Sequence, residues 1–268
     1  MTENNKAKRP TYTLAIAIEF LGTHYHGWQR QREVLGVQEA LETAISTVAN
    51  EPVEVIAAGR TDSSVHAGNM IAHFVTHAYR PSHNWLRGVN SLLPDDIALR
   101  WVQPMPADFH ARFAAIARRY RYVTLNQTQR PAILNHQVTH IHEPLDLKAM
   151  QLAASDIVGT HDFSSYRAAA CQSNQPVRHI SHANLFTHGQ FIVFDIQADG
   201  FLHHMVRNLM GTLYAIGRHE LEPADFLTLA PPTASGDGLY FINAYYPEHF
   251  QTLLPDAPLT PIWLNLPD

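Results

Sequence analysis

The chain has 268 residues, 46% of them hydrophobic and 16% charged, which excludes a disordered polypeptide and allows one large domain or two small ones. Its net charge is −5 with the 18 histidines neutral, so a nucleic-acid partner would have to meet a local basic surface and not the protein as a whole. No apolar run approaches the roughly 20 residues needed to cross a bilayer, residues 1–10 lack a signal-peptide core and Cys171 is the only cysteine; a cytoplasmic protein without disulfides or membrane contact is expected.

Along the chain, residues 12–20 alternate, with Leu14, Ile16, Ile18 and Phe20 on one side, the pattern of a half-buried strand. A loop over 22–32 leads to a helix near 37–48, striped by Val37, Leu41, Ile45 and Val48. Strand-like runs at 53–58 and 70–75 flank a polar loop. A helix over 83–93 is expected to stop at Pro94, and a strand at 97–102 closes the first half. The second half repeats the order: a strand at 118–125, a helix at 145–158, strands at 178–186 and 191–198 joined at His188-Gly189, a helix at 201–217 and a last strand at 238–246. The expectation is an α+β protein of two ferredoxin-like βαββαβ halves with an active-site cleft between them. Residues 1–10 form a flexible tail, 11–106 the first half and 107–268 the second, joined at Pro104-Met105-Pro106.

Chemistry concentrates in the loop Gly59-Arg60-Thr61-Asp62-Ser63-Ser64-Val65-His66-Ala67. An acid between two strands sits where a rigid scaffold presents chemistry, although an ordinary Asx turn has the same local sequence. Only three basic residues are lysines; the other 16 are arginines, and Arg112, Arg118, Arg119, Arg121 and Arg130 fall in one short stretch. Arginine forks match phosphate and stack on bases, so this stretch reads either as a basic groove or as a solvated strand edge. On the helix at 201–217, Arg207 lies about 100° from Val206, in line with His203 and Gly211. It can snorkel to water or reach across the cleft to a carboxylate and offset the desolvation of that charge. Tyr120 and Tyr122 share one strand face. Histidines recur at 24 and 26, at 136, 140 and 142, and at 203 and 204, but none has the spacing of a zinc hydrolase and no second cysteine can complete a thiolate site, so no metal is expected. A phosphate-binding glycine loop, a dinucleotide fingerprint and a serine-nucleophile elbow are all missing. A cofactor-free reaction centred on a carboxylate remains.

Five separated blocks together resemble the tRNA pseudouridine synthase A family. They are Gly59-Arg60-Thr61-Asp62 with Val65-His66-Ala67; Phe109-His110-Ala111-Arg112-Phe113 leading to Arg119-Tyr120-Arg121-Tyr122; His161-Asp162-Phe163-Ser164-Ser165; Phe201-Leu202 with Met205-Val206-Arg207-Asn208; and Gly238-Leu239-Tyr240 with Tyr246-Pro247. The resemblance implies an isomerase that converts uridines 38, 39 and 40 of the tRNA anticodon stem-loop to pseudouridine, as a homodimer and without cofactor or metal. It implies Asp62 as the catalytic aspartate, Tyr120 as the active-site tyrosine, Arg207 as the basic partner and Arg60 as the residue that helps displace the target base. Arg112, Arg119, Arg121 and Arg167 are the further candidates for contacting RNA. The family usually has glycine where this chain has Ser64, which would be strained by about 1 kcal/mol if the backbone there is left-handed. Two rival readings are a non-catalytic RNA-binding module and a glycosidic hydrolase, for which Asp162 or Asp199 would supply the second acid.

Overall fold

The computed structural model describes residues 9–168, 175–228 and 232–256; Cys171 and most of the N-terminal tail lie outside them. The first half runs β1 (Tyr12–Phe20), α1 (Val37–Ala49), β2 (Ile56–Ala57), β3 (His66–Thr76), α2 (Ser82–Asn90) and β4 (Ile97–Met105). The second runs β5 (Ala117–Asn126), β6 (Thr139–Ile141), α3 (Leu147–Asp156), β7 (Gly159–Asp162), β8 (Val177–His188), β9 (Phe191–Ala198), α4 (Met205–Gly217), β10 (Leu239–Tyr245) and α5 (Glu248–Gln251).

All ten strands form one sheet, ordered β4-β1-β3-β10-β5-β9-β8-β7, with β2 on β3 and β6 on β5. Each half therefore has the ferredoxin-like order: β4-β1-β3-β2 in the first and β10-β5-β9-β8 in the second. The halves join because β2 is so short. It covers β3 only at His73 and Ala72, leaving the other end of that edge to pair in parallel with β10, Tyr240 opposite His66 and Phe241 opposite Ala67. Unpaired strand edges template further pairing, and here the two units satisfy each other's edge.

Strand β1 is buried on both faces, not on one as its alternation suggested. It is an inner strand, between β3 and β4. On one face, Phe74 beside Leu14 meets Trp85 of α2 edge-on at 5.2 Å. On the other, Ala15 lies beside His73, which meets Phe109 at 5.9 Å, and Phe109 in turn meets Phe250 at 5.2 Å. The small alanines make room for that second layer. On α1, Val37, Leu41 and Ile45 are fully buried, each such side chain contributing about 1.5–3 kcal/mol. The helix ends at Asn50 in a left-handed conformation, a common cap.

Helix α2 ends at Asn90, short of Pro94, where the Asn90 amide bonds the backbone of Leu99 in both directions. Helix α4 starts at Met205, not at Phe201, because His204 is left-handed at φ 65. Among the described residues no helix is long and apolar enough to cross a membrane.

Candidate active site at the seam

The loop before β3 lies at the seam of the two units and is held by backbone from both. The amide of Trp28 donates to the Thr61 carbonyl at 3.1 Å and that of Ser64 to the Tyr25 carbonyl at 3.4 Å. Gly22 and Gly236 both press on it: a Cβ on Gly22 would lie 2.1 Å from the Val65 carbonyl oxygen, and one on Gly236 2.5 Å from that of Ser63. Only glycine allows such approach. His66 fastens the same place. Its Nδ1 accepts from the Gly22 amide at 2.9 Å, so Nε2 carries the proton and donates to the Asp237 carbonyl at 3.0 Å. Burial pushes this imidazole below its ordinary range, which favours the neutral tautomer the two bonds require. Ser64 is left-handed at φ 64, so the strain expected where the family has glycine is present.

Asp62 is thereby aimed at the N-terminus of α4. Arg207 reaches it from the other unit: its Nη1 donates to Asp62 Oδ2 at 3.4 Å, while its Nε donates to the Ala234 carbonyl at 2.8 Å. The carbonyl fixes the plane of the guanidinium, and the backbone amide of Ala234 donates back to the Arg207 carbonyl at 3.2 Å. Arg207 therefore points into the cleft and does not snorkel outward. Two imidazoles flank the same carboxylate, His203 Nε2 at 3.2 Å from Oδ1 and His204 Nε2 at 3.5 Å from Oδ2. Burial pushes the His204 imidazole down, against the upward pull of Asp62. The Asp62 side chain keeps 21% of its surface exposed, so the group remains open to a substrate.

Tyr120 lies beneath the loop, edge-on to Phe201 at 5.0 Å and to Phe241 at 5.1 Å. A Cβ on Gly59 would lie 3.7 Å from its hydroxyl. Burial, and then the nearby Asp62 charge, push this phenol well above its ordinary value. It is a protonated ring surface. Arg118, two residues before it on β5, straps the site together: its guanidinium donates to the carbonyls of Ala58, Arg112, Ala115 and Asp199.

Of the arginines expected to contact RNA, Arg60 is exposed beside Asp62, Arg112 is exposed over the Phe113 ring at 5.6 Å, and Arg167 is exposed where the Ala168 amide donates to the His203 carbonyl at 3.2 Å. Arg119 and Arg121 are placed differently. They lie on the sheet face opposite Tyr120, and both are held by Asp195 of β9, Arg119 through two bonds at 2.6 and 2.9 Å and Arg121 through a buried contact. A strand alternates its faces, so arginines flanking a cleft-facing tyrosine face away from the cleft. The two acids considered for a hydrolase are engaged elsewhere: Asp162 accepts from Ser164, and Asp199 from the His179 amide.

His203 and His204 could not be joined to Asp62 by spacing alone, since a left-handed turn and a seam intervene. Their place directly before Met205-Val206-Arg207 was the available signal. Together with Asp62 they form the one group, among the described residues, whose ligand atoms could hold a metal ion, all within 4.8 Å of one another.

A pair of ferredoxin-like units with an open carboxylate at their seam, braced by a guanidinium and underlain by a buried phenol, has the form of an enzyme cleft. A family profile described as tRNA pseudouridine synthase matches residues 16–114 and 153–247. The chain is 55% identical over 263 residues to the tRNA pseudouridine synthase A of Acinetobacter baylyi, covering 95% of this chain and 96% of that protein. It is 54% identical to that of Acinetobacter baumannii strain SDF, covering 95% and 98%, and 50% identical to that of Citrobacter koseri, covering 95% and 97%. The chain belongs to the tRNA pseudouridine synthase family, as the five sequence blocks suggested. Among solved structures, that of a Cbf5-Nop10-Gar1 complex gives a TM-score of 0.37 at 10% identity, over 85% of this chain and 48% of that one, a likeness too distant to bear on the site.

Proposed function

We propose that this chain isomerises uridine to pseudouridine in tRNA, at positions 38, 39 and 40 of the anticodon stem-loop, with Asp62 as the acting acid. The carrying observation is the Asp62–Arg207 pair, built from opposite units at 3.4 Å yet left open to the cleft. The reaction breaks the N1–C1′ bond, turns the base over and joins C5 to C1′; C5 then loses a proton and N1 gains one. Asp62 serves either as nucleophile at C1′ or as base toward the 2′ proton. Arg207 orients it through a charge-assisted hydrogen bond.

The target uridine must leave its stack, at a cost of a few kcal/mol that is least at a loop or stem end. Arg60, exposed beside Asp62, braces the vacated space. Tyr120 offers its ring to the extruded uracil, and the raised pKa of its phenol makes it a reluctant acceptor for the C5 proton, which favours water in that role. Arg60, Arg112 and Arg167 are the arginines placed to meet phosphates, so affinity falls as salt rises. The enzyme works in the cytoplasm as a homodimer, whose joint groove reconciles RNA binding with a net charge of −5.

Release of tritium from tRNA labelled at uridine C5 tests this reading. Asp62→Asn should bind tRNA as the wild type does and release tritium about 10⁴-fold more slowly or not at all, the scale seen on removing a reacting group. Turnover near the wild-type rate would remove Asp62 from the chemistry. Binding without release by the unmutated protein would instead make it a non-catalytic RNA-binding module.

A further inference from the structure

We propose that Asp62, His203 and His204 form a binding site for a divalent cation of the zinc class, and that an ion there competes with tRNA for the Asp62 carboxylate. The competition rests on the role proposed for Asp62; the ion site does not. Neighbouring residues ordinarily diverge, by about 100° in a helix and about 180° in a strand. Here the left-handed turn at His204 swings both imidazoles to one side, with ring centroids 4.0 Å apart. A non-glycine residue seldom holds that conformation unless its surroundings impose it.

Two imidazoles and a carboxylate are the donor set that zinc takes with a fourth position open. Metal–ligand bonds of about 2.0–2.1 Å at a tetrahedral angle put donor atoms about 3.3 Å apart. His203 Nε2 lies 3.2 Å from Oδ1 and His204 Nε2 3.5 Å from Oδ2, and one ligand atom from each of the three residues lies within 4.8 Å of the others, so the two rings turn inward to bring three donors onto one ion. The site is accessible, with the His203 side chain 40% and the His204 side chain 30% exposed. Arg207 opposes the ion. It bonds Asp62 Oδ2, leaves Oδ1 on the His203 side, and its charge holds the affinity well below that of a structural zinc site. The resulting occupant is a reversible inhibitor, which withdraws the Asp62 carboxylate from the cleft.

Isothermal titration of the full-length protein with Zn²⁺, and the visible spectrum with Co²⁺, test the site without reference to catalysis. Saturable binding is expected, weakened about tenfold or more in His203→Gln and in His204→Asn, which keeps a residue at home in the left-handed turn. His219→Gln, at an exposed histidine 3.6 Å from Asp146, serves as the control and should bind as the wild type does. The Co²⁺ complex should show the intense visible bands of a four-coordinate ion, lost in His203→Gln. Equal Zn²⁺ binding by wild type and His203→Gln, or no saturable binding by the wild type, overturns the site. Zn²⁺ that binds as expected yet leaves tritium release unchanged overturns the competition, and counts against Asp62 as the acting acid while the ion site stands.

Discussion

Asp62 and Asp195 are both acids held by arginine, and they are held in opposite ways. Asp195 is fully buried on β9, gripped by two guanidiniums from β5, with Arg121 itself nearly as buried. Asp62 meets one guanidinium at 3.4 Å from a different structural unit, and keeps part of its surface in the cleft. The first arrangement uses three arginine bonds on one carboxylate within the sheet. The second leaves capacity over. A carboxylate that a substrate can reach is one that the fold has only partly satisfied, and the pair of sites separates arginines engaged within the sheet from one that faces the cleft.

The largest effect that would sharpen this contrast is the loss of rate in Asp62→Asn, equivalent to about 5 kcal/mol of barrier for a 10⁴-fold drop. Its thermal stability should stay close to that of the wild type, because an open pair with one long bond contributes little to folding. Asp195→Asn should do the reverse. It removes the buried charge that both guanidiniums share, at a cost of about 3–5 kcal/mol in unfolding free energy, measurable by urea denaturation. The molecules that remain folded should release tritium at the normal rate. A stable Asp195→Asn variant with a dead active site would break the comparison.

The sequence disclosed the contrast only in part. That Asp62, Arg207 and Tyr120 lie together was readable because each falls in one of the five blocks of the family resemblance. The role of Arg119 and Arg121 was not, since their partner Asp195 is more than 70 residues away and nothing in a strand's own pattern names its neighbour. In the fold, β1 and α1 were legible from long, regular periodicity. The three-residue β6 and four-residue β7 were not, because so short a run carries no period. The start of α4 was misread for a different reason: Phe201 and Leu202 are apolar and continue the helical stripe, but a single backbone torsion at His204 interrupts it.

Acid separates two further groups of side chains. His73 is buried in the first unit, where desolvation, and then His110, lower its pKa to about 4. Between pH 6.5 and 4 the unfolded chain takes up a proton that the folded one refuses. Stability is therefore complete above pH 6.5, falls as the pH drops toward 4 and then levels off, by about 3 kcal/mol at most for this group at 1.36 kcal/mol per unit. His66, shifted in the same direction by burial, adds to the slope. Melting temperatures recorded from pH 7.5 to 4.5 should show this decline, shallower in His73→Gln. An unchanged slope in that variant would place the acid sensitivity elsewhere.

The smallest effect lies in the loop that carries Asp62. Ser64 is left-handed at φ 64, two residues after Asp62, in a conformation that crowds any side chain against the following carbonyl. Its amide still donates to the Tyr25 carbonyl at 3.4 Å, and the loop is gripped by Gly22 and Gly236, so the turn is dictated by its surroundings and cannot relax. Ser64→Gly removes the clash while leaving every backbone bond in place. It should raise unfolding stability by about 1 kcal/mol, less the added freedom of glycine in the unfolded chain. Turnover should be unchanged, because the grip on Asp62 comes from backbone and not from the serine hydroxyl. A stabilised variant that turned over more slowly would mean that the strain at Ser64 helps to aim the carboxylate, and that the open site, unlike the closed one around Asp195, depends on a backbone held away from its preferred shape.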